Sequence, residues 1–186
     1  MNSPSAIPLV MLENIIDDTD LTCLVKSFES TNFTAVINNP NLYNYFVQDD
    51  YMHKDKIDLL NLKLYSILEN LYNTKIKDCT TGGVVRYTKG QNIGVHADWD
   101  PEDSYMKSKE EKFTISSIFY FNEDYTGGEL IFCKDKKSID LNILKLKPQK
   151  NTVIFFDSSK FHYTNPILSG TKYSYTNFYS LDTKLV

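Results

Sequence analysis

A mainly β, α+β protein, an antiparallel double sheet with helices packed on one side, is the fold class that this sequence predicts. Three features of its 186 residues carry that expectation. From residue 83 onward the chain reads as short apolar stretches broken by turn residues. Its 13 tyrosines and 11 phenylalanines favour strands. The two helix-like patterns precede this run instead of alternating with it, which argues against parallel βαβ units.

Taken in order, residues 9–12 read as a short strand, after which Asp18 or Thr19 caps a helix carrying Leu21, Leu24, Val25 and Phe28 on one face. That helix ends near Ser30. Residues 33–37 and 43–47 read as strands around a turn at Asn38, Asn39, Pro40 and Asn41. Ile57, Leu60, Leu64, Ile67, Leu68 and Leu71 recur at three- and four-residue spacing, predicting a second helix over 56–73 on the back of a sheet. Strands then follow at 84–88, 91–97, 113–121, 129–133, 142–146, 152–156, 162–167 and 173–181, with Gly127 and Gly128 in a turn that demands positive φ. We expect one domain over 1–186, with helical and strand support in 1–82 and the β core in 83–186.

The net charge of −4 and pI of 5.4 count against a nucleic-acid partner, which normally meets a basic face. The N-terminus has no basic n-region, and its apolar run is short and interrupted by Pro8, so neither a signal peptide nor a membrane span is expected. Cys23, Cys79 and Cys133 have no metal-binding or CxxC spacing and read as free thiols acting as small buried hydrophobes. The expected setting is cytoplasmic.

Chemistry concentrates at His96 and Asp98. Two positions apart on a strand, they point to the same face and can aim at one divalent ion. Only three histidines are available, and His53, in a polar stretch, reads as solvent-facing. His162 follows a buried-strand pattern and a short turn, and completes two imidazoles and one carboxylate, the facial triad of non-haem Fe(II) oxygenases. A lone His-x-Asp is a weak signal, since either residue can simply cap a turn. Lys172, ten residues beyond His162, strengthens it, because a buried lysine needs an anion. The polar segment 100–112, just after Asp98, reads as a solvated loop and a candidate lid.

These residues resemble the Fe(II)- and 2-oxoglutarate-dependent dioxygenases, and within them the prolyl 4-hydroxylase-like branch. The likeness rests on Tyr87 nine residues before His96, Gly90-Gln91, His96-x-Asp98, the run from Thr114 to Phe121, the run from Gly127 to Phe132, and His162 with Pro166, Gly170 and Lys172. It implies a double-stranded β-helix, jelly-roll or cupin-like, with N-terminal helices on one sheet and iron held by His96, Asp98 and His162. Lys172 would pair with the distal carboxylate of 2-oxoglutarate, assisted by Tyr87 and Ser116. Fe(II), 2-oxoglutarate and O2 are the implied cofactors, with ascorbate as reductant. Oxidative decarboxylation to succinate and CO2 would then drive hydroxylation of a C–H bond. Ile93 departs from the family, whose members often carry a bulky aromatic three residues before the first histidine.

The branch implies a protein or peptide substrate containing proline, hydroxylated at C4. Arg86, Trp99, Tyr105 and Tyr120 are the candidate groove residues, set against a surface ion pair for Arg86 and a packing role for Trp99. Two alternatives stay open: the same chemistry on another side chain, a free amino acid or a nucleobase, and a non-catalytic cupin-like metal-binding module. A buried Lys172 argues against the second, because a barrel without a cosubstrate has little use for it.

Overall fold

Alternation along the strands decides which sheet face each residue joins, and the two helices close off one of those faces. The computed structural model describes residues 8–36, 39–100, 102, 113–137 and 142–182. In chain order the elements are β1 (Val10–Glu13), α1 (Asp18–Glu29), β2 (Thr34–Val36), β3 (Asn39–Tyr45), α2 (Lys54–Tyr72), β4 (Ile76–Tyr87) and β5 (Ile93–His96). They continue with β6 (Ile115–Tyr120), β7 (Thr126–Gly127), β8 (Leu130–Cys133), β9 (Asn142–Leu146), β10 (Thr152–Asp157), β11 (His162–Thr164), β12 (Ile167–Ser169) and β13 (Lys172–Leu181).

Seven strands form one antiparallel sheet in the order β1-β10-β6-β13-β4-β3-β2. Four form a second, β5-β11-β8-β9, and β12 pairs with β7 in a small third. On one face of the large sheet Ile115, Phe119, Val153, Phe155, Tyr175 and Tyr179 meet Leu24 and Phe28 of α1 and Leu60 and Leu64 of α2. On the other face the alternate residues Tyr120, Ile154 and Phe156 meet Leu130 and Phe132 of the four-stranded sheet. Val85 and Tyr87 pack on Tyr125 and Ile167. Two antiparallel sheets facing each other, helices behind the larger, make a jelly roll.

Helix α1 is capped by Asp17, one residue before Asp18 and two before Thr19, the expected caps; Asp17 is extended, and its carboxylate accepts from the Thr19 N–H at 2.7 Å. Helix α2 starts at Lys54 and ends on Asn73 in the left-handed region at φ 47°. His53 sits at its N-terminus, half-buried and edge-on to the Tyr51 ring, not free in solvent as expected.

Three strand expectations change. β4 begins at Ile76, so a strand of the large sheet crosses the boundary placed between residues 82 and 83. The predicted strand 162–167 splits, because Asn165 leaves the β11 ladder to donate to the Glu129 carbonyl before β12 pairs with β7. β3 starts at Asn39, where a turn was expected. Cys133 is buried, whereas Cys23 and Cys79 are only half-buried. Among the described residues, no helix is long and apolar enough to cross a membrane.

Candidate metal centre

The last residue of β5 and the first of β11 are cross-strand partners, so pairing the two strands brings His96 directly opposite His162. Their rings lie 4.3 Å apart between centroids, tilted by 50°. His96 Nδ1 meets the Gly94 carbonyl at 2.8 Å, and His162 Nδ1 meets the Lys160 carbonyl at 2.9 Å. A carbonyl can only accept, so each Nδ1 carries a proton, which leaves Nε2 as the nitrogen that can ligate. Both Nε2 atoms face Asp98 Oδ1, at 3.4 Å from His96 and 3.9 Å from His162. All three ligand atoms fall within 4.8 Å of one another.

The electrostatics match a charged carboxylate between two imidazoles. Burial pushes the Asp98 pKa up, but His162 and then His96 oppose this, and it ends below its ordinary value. His96 has burial against its protonated form, yet its bond to Asp98 and the carboxylate's charge raise its pKa. His162 is buried more deeply, and that burial holds its pKa down. Asp98 Oδ2 is buried with no hydrogen-bond partner, a cost of about 1–3 kcal/mol that a cation would remove.

These three groups open into a cavity of about 230 Å³ between the two main sheets. Lys172 lies in the same cavity and is only 1% exposed. Its Nζ donates to the Gly128 carbonyl at 3.2 Å and sits over the rings of Tyr87 (4.5 Å) and Tyr120 (5.4 Å). Desolvation lowers its pKa to about 7, with Glu129 weakly opposing. Gly128 adopts φ 68°, a left-handed backbone in which a larger residue would be strained, and a Cβ there would also crowd Ile167 Cδ1 and the Tyr125 ring. The carbonyl that receives Lys172 thus depends on glycine.

The remaining candidates divide. Tyr87 lines the cavity beside Lys172. Ser116 does not; its hydroxyl meets that of Ser158 at 2.9 Å on the Asp98 side, where it helps hold the carboxylate ionised. Tyr120 lies at the buried end under Lys172 and not on a rim, because strand alternation turns it into the barrel. Trp99 is buried edge-on against Phe113, 6.1 Å away, and does not line this cavity. Arg86 points to the opposite face of β4 from Tyr87, with its guanidinium carbon 4.8 Å from the Phe33 ring. Tyr105, like most of the 100–112 segment, lies outside the described residues.

Sequence reasoning passed over Thr164, Ser174, Thr176, Phe178 and Gly82, all of which line the cavity. Three were within reach, since 174, 176 and 178 share the strand face of Lys172.

Comparison with known proteins bears on this site directly. A family model described as the 2OG-Fe(II) oxygenase superfamily matches residues 82–180. No curated protein sequence matches the chain significantly. Among solved structures, a prolyl hydroxylase from Trichoplax adhaerens, in complex with a hypoxia inducible factor oxygen degradation domain peptide fragment, superposes with a TM-score of 0.70 at 16% identity. That match covers 92% of this chain and 83% of the other. A Pseudomonas putida prolyl-4-hydroxylase gives 0.66 at 14% identity, over 92% and 91%. The viral collagen prolyl hydroxylase of Paramecium Bursaria Chlorella virus-1 gives 0.65 at 18%, over 98% and 96%. At these identities the structures establish the shared fold, and the family match supplies the chemistry. The chain belongs to the 2OG-Fe(II) oxygenase superfamily and is a 2-oxoglutarate-dependent dioxygenase using Fe(II), 2-oxoglutarate and O2.

Proposed function

We propose that this dioxygenase hydroxylates peptidyl proline at C4, with iron on His96, Asp98 and His162 and the distal carboxylate of 2-oxoglutarate on Lys172. The observation that carries the reading is Lys172 itself, a buried ammonium in one cavity with the three converging ligand groups and in no ion pair with a described carboxylate. Such a charge needs an anion, and a dicarboxylate reaching from the triad supplies one. The triad fits a ferrous ion: two imidazole nitrogens and one carboxylate, whose Oδ2 has no hydrogen-bond partner, match the facial donor set.

Bound there, iron and 2-oxoglutarate would supply the oxidising power, coupling decarboxylation of the cosubstrate to succinate and CO2 with insertion of the second oxygen atom of O2 into a substrate C–H bond. The protein positions and shields. Lys172 neutralises the distal carboxylate, Gly128 orients the amine, and the faces of Tyr87 and Tyr120 exclude water around it. The backbone carbonyls of Gly94 and Lys160 hold both imidazoles in the ligating tautomer.

A peptide substrate, and proline within it, is supported by fold likeness to three prolyl hydroxylases, one of them solved with a peptide. A reducing, cytoplasmic setting suits both ferrous iron and the three free cysteines. The test is succinate release from 2-oxoglutarate with Fe(II) and ascorbate, with and without proline-rich peptides, followed by mass spectrometry. Peptide-stimulated turnover with one oxygen gained on proline is expected. Oxygen on lysine or on a free amino acid would move the substrate elsewhere and leave the iron chemistry standing.

A further inference from the structure

The cavity does not end at the triad. The seven-stranded sheet is wider than the four-stranded one facing it, and the cavity continues along its inner face over β13, β4 and β3. Lys172 stands at one end of β13. Ser174, Thr176 and Phe178 follow on the same face. Phe178 is paired across the sheet with Ser116, which lies on the Asp98 side, so this second arm begins level with the metal centre.

Where the arm crosses β4, the ladder is interrupted. Thr176 pairs with Gly83 and Asn177 with Thr81, so Gly82 is an extra residue without a partner, a β-bulge. Adjacent Gly83 has a backbone reason to be glycine: its φ is 79° and a Cβ would lie 2.7 Å from the Tyr45 carbonyl oxygen. Gly82 has no such reason. A Cβ there would point into the arm, meeting Phe178 Cε2 at 3.3 Å and Thr176 Cβ at 3.4 Å. Both neighbours are half-buried, so the space remains reachable from solvent. A strand glycine accompanies a bulge or a close approach of another group, and at Gly82 the missing side chain leaves open the space between Phe178 and Thr176.

We infer that Gly82, Thr176 and Phe178 form the subsite that receives the side chain to be hydroxylated, and that it admits a compact, uncharged group and rejects a cation. This deepens the proposed function and rests on it. Apolar Val85, Leu42 and Phe178 supply most of the arm, with the Thr176 hydroxyl and the Asn44 amide as polar groups. Among the described residues lining it, no carboxylate other than Asp98 is present to meet a lysyl ammonium. Phe178 is backed by Phe113 at 5.5 Å, and Phe113 by Trp99. Trp99 therefore supports the wall from behind as a positioning residue.

The test reads peptide binding separately from turnover. A fluorescently labelled proline-rich peptide is titrated against the full chain loaded with Mn(II) and 2-oxoglutarate, and anisotropy is recorded for wild type, Gly82→Ala and Gly82→Val. Thermal unfolding confirms that each variant is folded. The subsite predicts at least a tenfold loss of peptide affinity in Gly82→Val, a smaller loss in Gly82→Ala, and recovery when Phe178→Leu makes room beside Gly82→Ala. A peptide with lysine in place of the central proline should bind at least tenfold more weakly to wild type. Unchanged affinity in folded Gly82→Val, or equal binding of the two peptides, overturns the subsite. Absence of iron-dependent succinate formation in wild type strikes the proposed function instead, a result that the binding titration does not share.

Discussion

The two faces of the seven-stranded sheet are made from alternate residues of the same strands, yet they are built for opposite ends. On β13, Tyr173, Tyr175 and Tyr179 turn toward the helices and are packed into a continuous core with Leu24, Phe28, Leu60 and Leu64. Their neighbours Lys172, Ser174 and Thr176 turn the other way and line a cavity. The helix face stabilises; the cavity face gives up packing to hold a buried cation, hydroxyls and open volume. Stability and chemistry are thereby separated by a single residue step, and substitutions at adjacent positions should fall on different observables.

The sharpest break comes at the metal centre. His96→Ala, Asp98→Ala and His162→Ala should each lower iron-dependent succinate formation more than about a hundredfold, since each removes one donor of a three-donor set. Mn(II) should raise the melting temperature of wild type and not of Asp98→Ala, because an ion that binds only the folded state stabilises it. Near-normal turnover in His162→Ala at matched iron occupancy would remove it from the ligand set.

Next is Lys172. Losing one partner of a buried charge pair costs about 3–5 kcal/mol, so Lys172→Ala should raise the 2-oxoglutarate requirement by two orders of magnitude or more. Its pKa of about 7, lowered by burial, also sets a pH signature. The folded state loses this proton near pH 7 and the unfolded chain near 10.5, so between those values the unfolded state binds more protons and stability rises with pH. Below about pH 7 both states are protonated and the full cost of the buried ammonium remains. Binding of the cosubstrate carboxylate requires the proton, so the KM for 2-oxoglutarate should climb above pH 7. Lys172→Met should flatten the stability slope; denaturant titrations from pH 6 to 10 read it.

On the helix face the expected readout is reversed. Leu64→Ala should cost about 2–5 kcal/mol of stability through the cavity it leaves, while the KM values of the folded fraction stay put. A shift in cosubstrate KM without a fall in stability would show that the two faces are not separate.

What the sequence made legible follows the same division. Helix α2 declared itself through Ile57, Leu60, Leu64 and Leu68, because a helix that buries one stripe must repeat with its own period. The meeting of His96 and His162 could be anticipated from their places on two strands that pair, whereas Asp98 lies in a bend two residues past the end of β5, so the shared strand face expected for it is not what brings it to the site. The surroundings of the triad were less legible, for two physical reasons. Trp99 follows the end of β5, where alternation stops applying, so its direction is set by the Phe113 contact and by its backbone bond to Ser158. Gly82 sits in a bulge, and an unpaired residue has no signature beyond its being glycine.

Arg86 gives the smallest effect and the finest test of the comparison. As the only arginine, it was a natural candidate for gripping substrate carbonyls. Yet Val85 and Tyr87 line the cavity side of β4, and Arg86 between them stacks over Phe33 at 4.8 Å and Tyr43 at 5.5 Å. Its Nε is buried without a hydrogen-bond partner, so what holds it is ring contact and the packing of its stem. Arg86→Ala should therefore cost about 1–2 kcal/mol of stability. Much of that coupling should disappear when Phe33→Leu has already removed the ring, a difference that a double-mutant cycle in urea resolves. Peptide KM should not move. A rise in peptide KM with no loss of stability would put Arg86 back at the groove, and would mean that β4 presents both of its faces to the substrate.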